Sequence, residues 1–88
     1  MEESGQPRLR ELSELGRLLA SAQGYAVLDA EGQLLGRLDR VRYGRHTDRP
    51  DEIVIRRGRF WGRELVVPFH AVEAVERATG TVRLRRGP

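Results

Sequence analysis

The chain has 88 residues, of which 39% are hydrophobic and 33% are charged, and its formal net charge is +3. Its length is that of one small domain. It contains no cysteine, which excludes disulfides, thiolate zinc sites and cysteine nucleophiles. No apolar segment approaches the roughly 20 residues that span a bilayer, and the acidic, polar N-terminus is unlike a signal peptide. We therefore expect a cytoplasmic protein without membrane insertion.

The basic residues are all arginines, and they are unevenly distributed. Residues 1–31 hold three arginines against six acidic residues, whereas residues 32–88 hold thirteen against seven. An all-arginine composition is typical of a GC-rich genome, but arginine also makes better bidentate and stacking contacts than lysine. The surplus of positive charge therefore lies in residues 32–88. The exclusive use of arginine either reflects genome composition or serves in binding.

Residues 1–22 are predicted to form an N-terminal tail and a short amphipathic helix. Five leucines of segment 7–20 are spaced to line one face of that helix: Leu9, Leu12, Leu15, Leu18 and Leu19. A lone amphipathic helix needs a surface to pack against. It either covers the core of its own domain or mediates dimerisation or docking on a partner.

Residues 23–88 are predicted to form a β domain that begins with a hairpin. Two β-rich segments, 24–29 and 34–43, flank the sequence "DAEG". Asp29 suits the first position of a turn, and Gly32 supplies the positive φ that such a turn needs. Gly36 inside the second segment predicts a bulge or a sharp bend.

The later segments predict three more strands and one helical turn. Segments 53–57 and 63–68 read as strands on either side of the loop "GRFWG", and 81–86 as the last strand. Pro68 ends a strand because it lacks an amide donor, and its fixed φ suits the first turn of a helix. Val72 and Val75, at a spacing of three, predict that this helical turn faces the core.

Together these segments predict a mainly β fold, a small antiparallel barrel of five to six strands with a short helical turn after Pro68 and a short N-terminal helix. The residues expected to face the core are apolar and belong to the second, third and fourth strands: Leu35, Leu38, Val41, Ile53, Ile55, Leu65 and Val67.

The ordered set of glycines, apolar runs and proline resembles the PRC-barrel family. The resemblance runs from "GYAVLDAEGQLLGRLDRV" through "EIVIRRGRFWGRELVVPFHAVEAV" to "GTVRLRR". It implies a structural role for four residues: Gly24, Gly32, Gly36 and Pro68. Family members include the cytoplasmic domain of the photosynthetic reaction centre H subunit and the C-terminal domain of ribosome-maturation factors. The resemblance implies a small stand-alone member, and the N-terminal helix lies outside it.

No catalytic, cofactor or metal site is expected from the pattern of polar residues. His46 and His70 have no second histidine at the spacing of a metal site. The serines lack a nucleophile elbow, and paired acids such as Asp51 and Glu52 are expected to be solvated. We expect neither an enzyme nor a small-molecule substrate.

A candidate interaction surface remains, made of arginines and two aromatic residues: Arg40, Arg42, Arg56, Arg59, Phe60, Trp61, Arg63, Arg83 and Arg85. The arginines either form a solvated face or bind an acidic protein surface or nucleic-acid phosphates. Phe60 and Trp61 either plug one end of the barrel or form an interface anchor or stacking platform.

The first functional hypothesis is a non-catalytic interaction module that binds a protein partner, including a second copy of itself as a homodimer. The alternative is an RNA- or ribosome-associated accessory protein that binds RNA or a ribosomal protein through its arginines. A component of a photosynthetic electron-transfer complex is a third hypothesis, which the lack of a transmembrane segment disfavours.

Overall fold

The computed structural model describes residues 5–45, 49–58 and 63–86, with side chains from residue 10 onward. It contains one helix, six strands and a 3₁₀ turn between the fourth and fifth strands. Their bounds are α1 Gly5–Ala20, β1 Ala26–Leu28, β2 Leu34–Arg42, β3 Glu52–Arg57, β4 Arg63–Pro68, the 3₁₀ turn Phe69–Ala71, β5 Val72–Glu76 and β6 Thr81–Leu84. The predicted mainly β fold is confirmed.

The six strands form a single sheet in the order β4-β3-β2-β1-β6-β5. Neighbouring strands are antiparallel, except that β1 and β6 run parallel, with Val27 opposite Val82. This pair departs from the antiparallel arrangement that the sequence predicts. Short turns reveal antiparallel neighbours in a sequence, whereas β1 and β6 are far apart in the chain and no turn between them indicates their pairing.

The sheet curls because its two edge strands are consecutive in the chain. Strands β4 and β5 stand at opposite ends of the strand order, yet only the three residues of the 3₁₀ turn join them. Pro68 ends β4 with φ −67° and ψ 151°. Phe69 is 7% exposed, and its amide donates to the Asp51 carbonyl at 2.8 Å. This corner therefore brings the two edges together around one core.

The core draws on every strand except β4, which packs against it. Its buried residues are Leu19, Ala22, Val27, Leu38, Ile53, Ile55, Phe69, Val72, Val82 and Leu84. The expected inward residues of β2, β3 and β4 all belong to the core or pack against it, so that prediction is confirmed. Phe69 is an aromatic core residue that the sequence analysis did not include.

The predicted helical turn is wrong beyond Ala71, because Val72–Glu76 is strand β5. Val72 faces Leu84 and Ala74 faces Arg83, so the register shifts between Val72 and Ala74. A bulge of this kind adds one residue to the strand. Val72 and Val75 therefore both reach the core although they are three residues apart, the spacing that the sequence analysis took for a helix.

The helix α1 packs on its own barrel, as the first of the two alternatives for its leucine face predicts. Leu19 is 1% exposed and belongs to the core, while Leu12 and Leu15 pack against it. At the end of the helix Gly24 has φ +88°, a conformation that favours glycine, and its amide donates to the Leu38 carbonyl at 2.8 Å. The chain thereby turns from the helix into β1.

The first hairpin turn is held by a side chain. The Asp29 carboxylate oxygen Oδ1 accepts the amides of Glu31 at 2.9 Å and Gln33 at 2.8 Å. Gly32 has φ +85°, and a Cβ there would meet no atom within 4 Å, so the backbone conformation alone favours glycine.

Gly36 is required for a different reason. A Cβ at this position would collide with the carbonyl oxygen of Arg56 and lie 2.9 Å from Cγ2 of Ile55. The missing side chain therefore allows β2 and β3 to approach closely where the sheet bends.

Replacing Leu19 with alanine tests the docking of the helix. Because Leu19 is buried in the shared core, we expect the free energy of unfolding to fall by about 2 to 4 kcal/mol in urea denaturation. Leu34→Ala, at a position 62% exposed, is the control and should change stability by less than about 0.5 kcal/mol. Equal losses for the two variants would contradict the packing described above.

Candidate interaction surface

A network of charged side chains crosses the outer face of β2, β3 and β4. Its centre is Asp39, in the part of β2 where the register against β3 shifts. Asp39 Oδ1 accepts from Arg56 Nη2 at 3.0 Å, and Oδ2 accepts from Arg40 Nη1 at 2.5 Å. Arg40 Nη1 also donates to Glu64 Oε2 at 3.2 Å. The network thus ties three neighbouring strands together.

The network raises the pKa of the Arg40 guanidinium above its ordinary value, chiefly through the hydrogen bond to Glu64 and then through that to Asp39. The sequence analysis did not single out Asp39. Its side chain is only 15% exposed, and the bulge that places it between two arginines has no signal in the sequence.

A further arginine of β2 is also paired. Arg42 Nε lies 3.6 Å from Glu52 Oε1, its cross-strand neighbour. Arg40, Arg42 and Arg56 are therefore each matched by a carboxylate. Exposed pairs of this kind contribute little to stability.

The arginines of the last strand form a separate group. Arg83 Nη1 lies 3.3 Å from Glu76 Oε2, and Arg85 Nη2 donates to the Val72 carbonyl at 3.0 Å. Strand β1 stands between β2 and β6 in the sheet. The backbones of β2 and β6 are consequently about 10 Å apart, since neighbouring strands are roughly 4.8 Å apart.

One end of the barrel carries arginines that face one another. We call the four residues Arg37, Arg56, Arg57 and Arg63 the arginine end. Arg37 is directly opposite Arg56, and Arg57 is directly opposite Arg63. Like charges in this position are destabilising.

The two pairs differ in what surrounds them. Arg56 donates to Asp39, and Arg37 Nη1 donates to the Gly24 carbonyl at 3.0 Å. Over residues 5–45, 49–58 and 63–86, no carboxylate forms an ion pair with Arg57 or Arg63. The structure thus separates arginines that are matched by acids from arginines that are not.

Three other members of the candidate surface, Arg59, Phe60 and Trp61, lie outside the described residues, as does His46. The alternatives stated for Phe60 and Trp61 therefore stay predictions.

The described polar residues do not converge on a metal site. Within that part of the chain no group of three or more histidine, cysteine or acidic side chains could hold a metal ion. His70 is exposed in the 3₁₀ turn. No helix among the described residues has the length and apolar character needed to cross a membrane.

Comparison with known proteins finds similarity among solved structures. No protein-family model matches the chain, and neither does any curated protein. Among solved structures, the chain is similar to a protein described as a 16S ribosomal RNA processing protein, RimM, from Pseudomonas aeruginosa, with 26% sequence identity and a TM-score of 0.56. The similarity covers 82% of this chain but 43% of that one, so this chain spans less than half the length of RimM. It supports a PRC-barrel-like fold.

Replacing Asp39 with asparagine tests the network. The substitution removes the negative charge that Arg40 and Arg56 share, so we expect a melting temperature lower by a few degrees at low salt and a smaller difference at high salt. Glu76→Gln, which removes one exposed ion pair with Arg83, is the matched control and should lower it less. If Glu76→Gln lowers the melting temperature as much as Asp39→Asn does, the network contributes no more to stability than a single exposed ion pair.

Proposed function

We propose that this chain is a non-catalytic, ribosome-associated accessory protein that binds ribosomal RNA. The observation that carries the proposal is the likeness to the 16S ribosomal RNA processing protein over 82% of the chain. Because this chain spans less than half of that protein, the proposal concerns binding and not the whole activity. It implies a cytoplasmic location.

The charge of the molecule supports an anionic partner. The formal net charge is +3, and two arginines of the arginine end, Arg57 and Arg63, form no ion pair with a carboxylate of the described residues. Complementary charge raises the local concentration of an anionic partner and speeds its association. A polyanion such as RNA fits this surplus.

The arrangement of the side chains supports a binding role in preference to catalysis. A nucleophile or general acid-base group acts within hydrogen-bond reach of a partner group that activates or orients it. His70 is exposed, and no hydrogen bond from its side chain to a described residue is seen. We therefore assign the function of the chain to binding at its surface.

The proposal predicts salt-dependent binding to purified 16S ribosomal RNA. Replacing counterions on single-stranded phosphates gives a slope of about 0.7 per contact in a plot of log affinity against log salt. We expect a slope of at least about 1.4, equivalent to two phosphate contacts. Filter binding across a salt series measures it, and sedimentation with small ribosomal subunits checks it in the assembled particle. If neither filter binding nor sedimentation with the subunits detects binding near physiological salt, the proposal is overturned.

A protein partner, including a second copy of the chain, is the second candidate function. It is favoured by β4, which stands at one edge of the sheet and carries Val66 with 43% exposure. An edge strand presents unpaired backbone groups that can pair with another chain. Pro68 at the end of β4 limits such pairing, since proline has no amide to donate.

Light scattering after size exclusion tests the self-associating form. We expect a dimer at tens of micromolar if β4 pairs with its copy, and a monomer for Val66→Lys, because a lysine at an edge disfavours pairing between strands. A wild-type protein that is already monomeric removes this form of the second candidate.

A further inference from the structure

We propose that Arg57 and Arg63 form a phosphate-binding site for RNA at the end of the β3-β4 hairpin. This inference rests on the proposed function and assigns the contact to two residues of the arginine end. It differs from a general attraction to basic residues, because it excludes the arginines that are paired with acids.

The first argument is the register of the strands. Arg57 and Arg63 are directly opposite on β3 and β4, so their Cβ atoms are about 5 Å apart. The next pair along, Arg37 and Arg56, is also of like charge. Because successive side chains of a strand point to opposite faces of the sheet, Arg56 and Arg37 lie on the other face from Arg57 and Arg63. An anion bound between Arg57 and Arg63 would relieve their repulsion. Among the described residues, no carboxylate does so.

The second argument is that the site is shaped by Gly36. An ideal Cβ at Gly36 would lie 3.1 Å from Cγ of Arg57, so the aliphatic part of Arg57 runs over this glycine. A long arginine side chain held along its stem presents its charged end to solvent.

The third argument is the contrast with the paired arginines. Arg42 and Arg83 lie 3.6 Å and 3.3 Å from the carboxylates of Glu52 and Glu76. A phosphate approaching either one meets a negative charge already in place. Arg57 and Arg63 present no such competitor among the described residues.

The composition of the site favours nucleic acid over an acidic protein segment. The centres of protein interfaces are depleted of charged residues, whereas interfaces with nucleic acid are more polar and much more positively charged. The two side chains that define the site are both arginines, directly opposite one another. The planar guanidinium also matches phosphate with two parallel hydrogen bonds.

The test compares two double variants of equal charge. One is Arg57→Gln with Arg63→Gln, and the control is Arg42→Gln with Arg83→Gln. Filter binding to 16S ribosomal RNA is measured for both across a salt series. The site variant should lose about tenfold in affinity and about 1.4 units of salt slope. The control should stay within about twofold of wild type.

Unfolding in urea checks that both variants fold, and the site variant should be at least as stable as wild type, because it removes a like-charge pair. Equal weakening of the two variants means diffuse attraction and overturns the site. Retained binding in the site variant also overturns it, while the proposed function stands. If wild type binds no RNA, the proposed function fails with it. If polyglutamate displaces the RNA as effectively as oligouridylate of equal charge does, the site binds an acidic protein segment instead. That outcome overturns the assignment to RNA.

Discussion

The three-residue turn after Pro68 is the constraint on which the rest of the structure depends. Because it joins β4 directly to β5, the two edges of a six-stranded sheet must meet at one corner, and the sheet has to curl. The curl gives the strands a common interior that Phe69 closes at the corner and that α1 covers with Leu19. The same curl turns the charged side chains outward, where neighbouring strands bring arginines opposite acids or opposite one another.

Much of this architecture is visible in the sequence, because alternation, turn residues and a strand-ending proline are local signals. The hairpin with Asp29 and Gly32 and the inward residues of β3 are examples. The error at β5 has one physical origin: a bulge puts two core residues three positions apart, which is also the spacing of a helix. The pairing of β1 with β6 joins residues distant in the chain, and no local pattern encodes it.

The surface was less predictable than the core. The number of arginines can be read from the sequence. Which of them pairs with an acid depends on cross-strand neighbours and therefore on strand register. The shift in β2 beside Asp39 brings that carboxylate to Arg40 and Arg56, whereas the regular ladder of β3 and β4 sets Arg57 against Arg63. Residues of one type, close in sequence, thus acquire different electrostatic surroundings.

The parallel pairing of β1 with β6 also bears on how the molecule comes apart. β1 has three residues, and it is the only strand that links β2 on one side to β6 on the other within the described sheet. Three residue pairs join β1 to β6, against five between β2 and β3, so the sheet is closed here by a short ladder. Opening there would release the β5-β6 hairpin as a unit and uncover Val27.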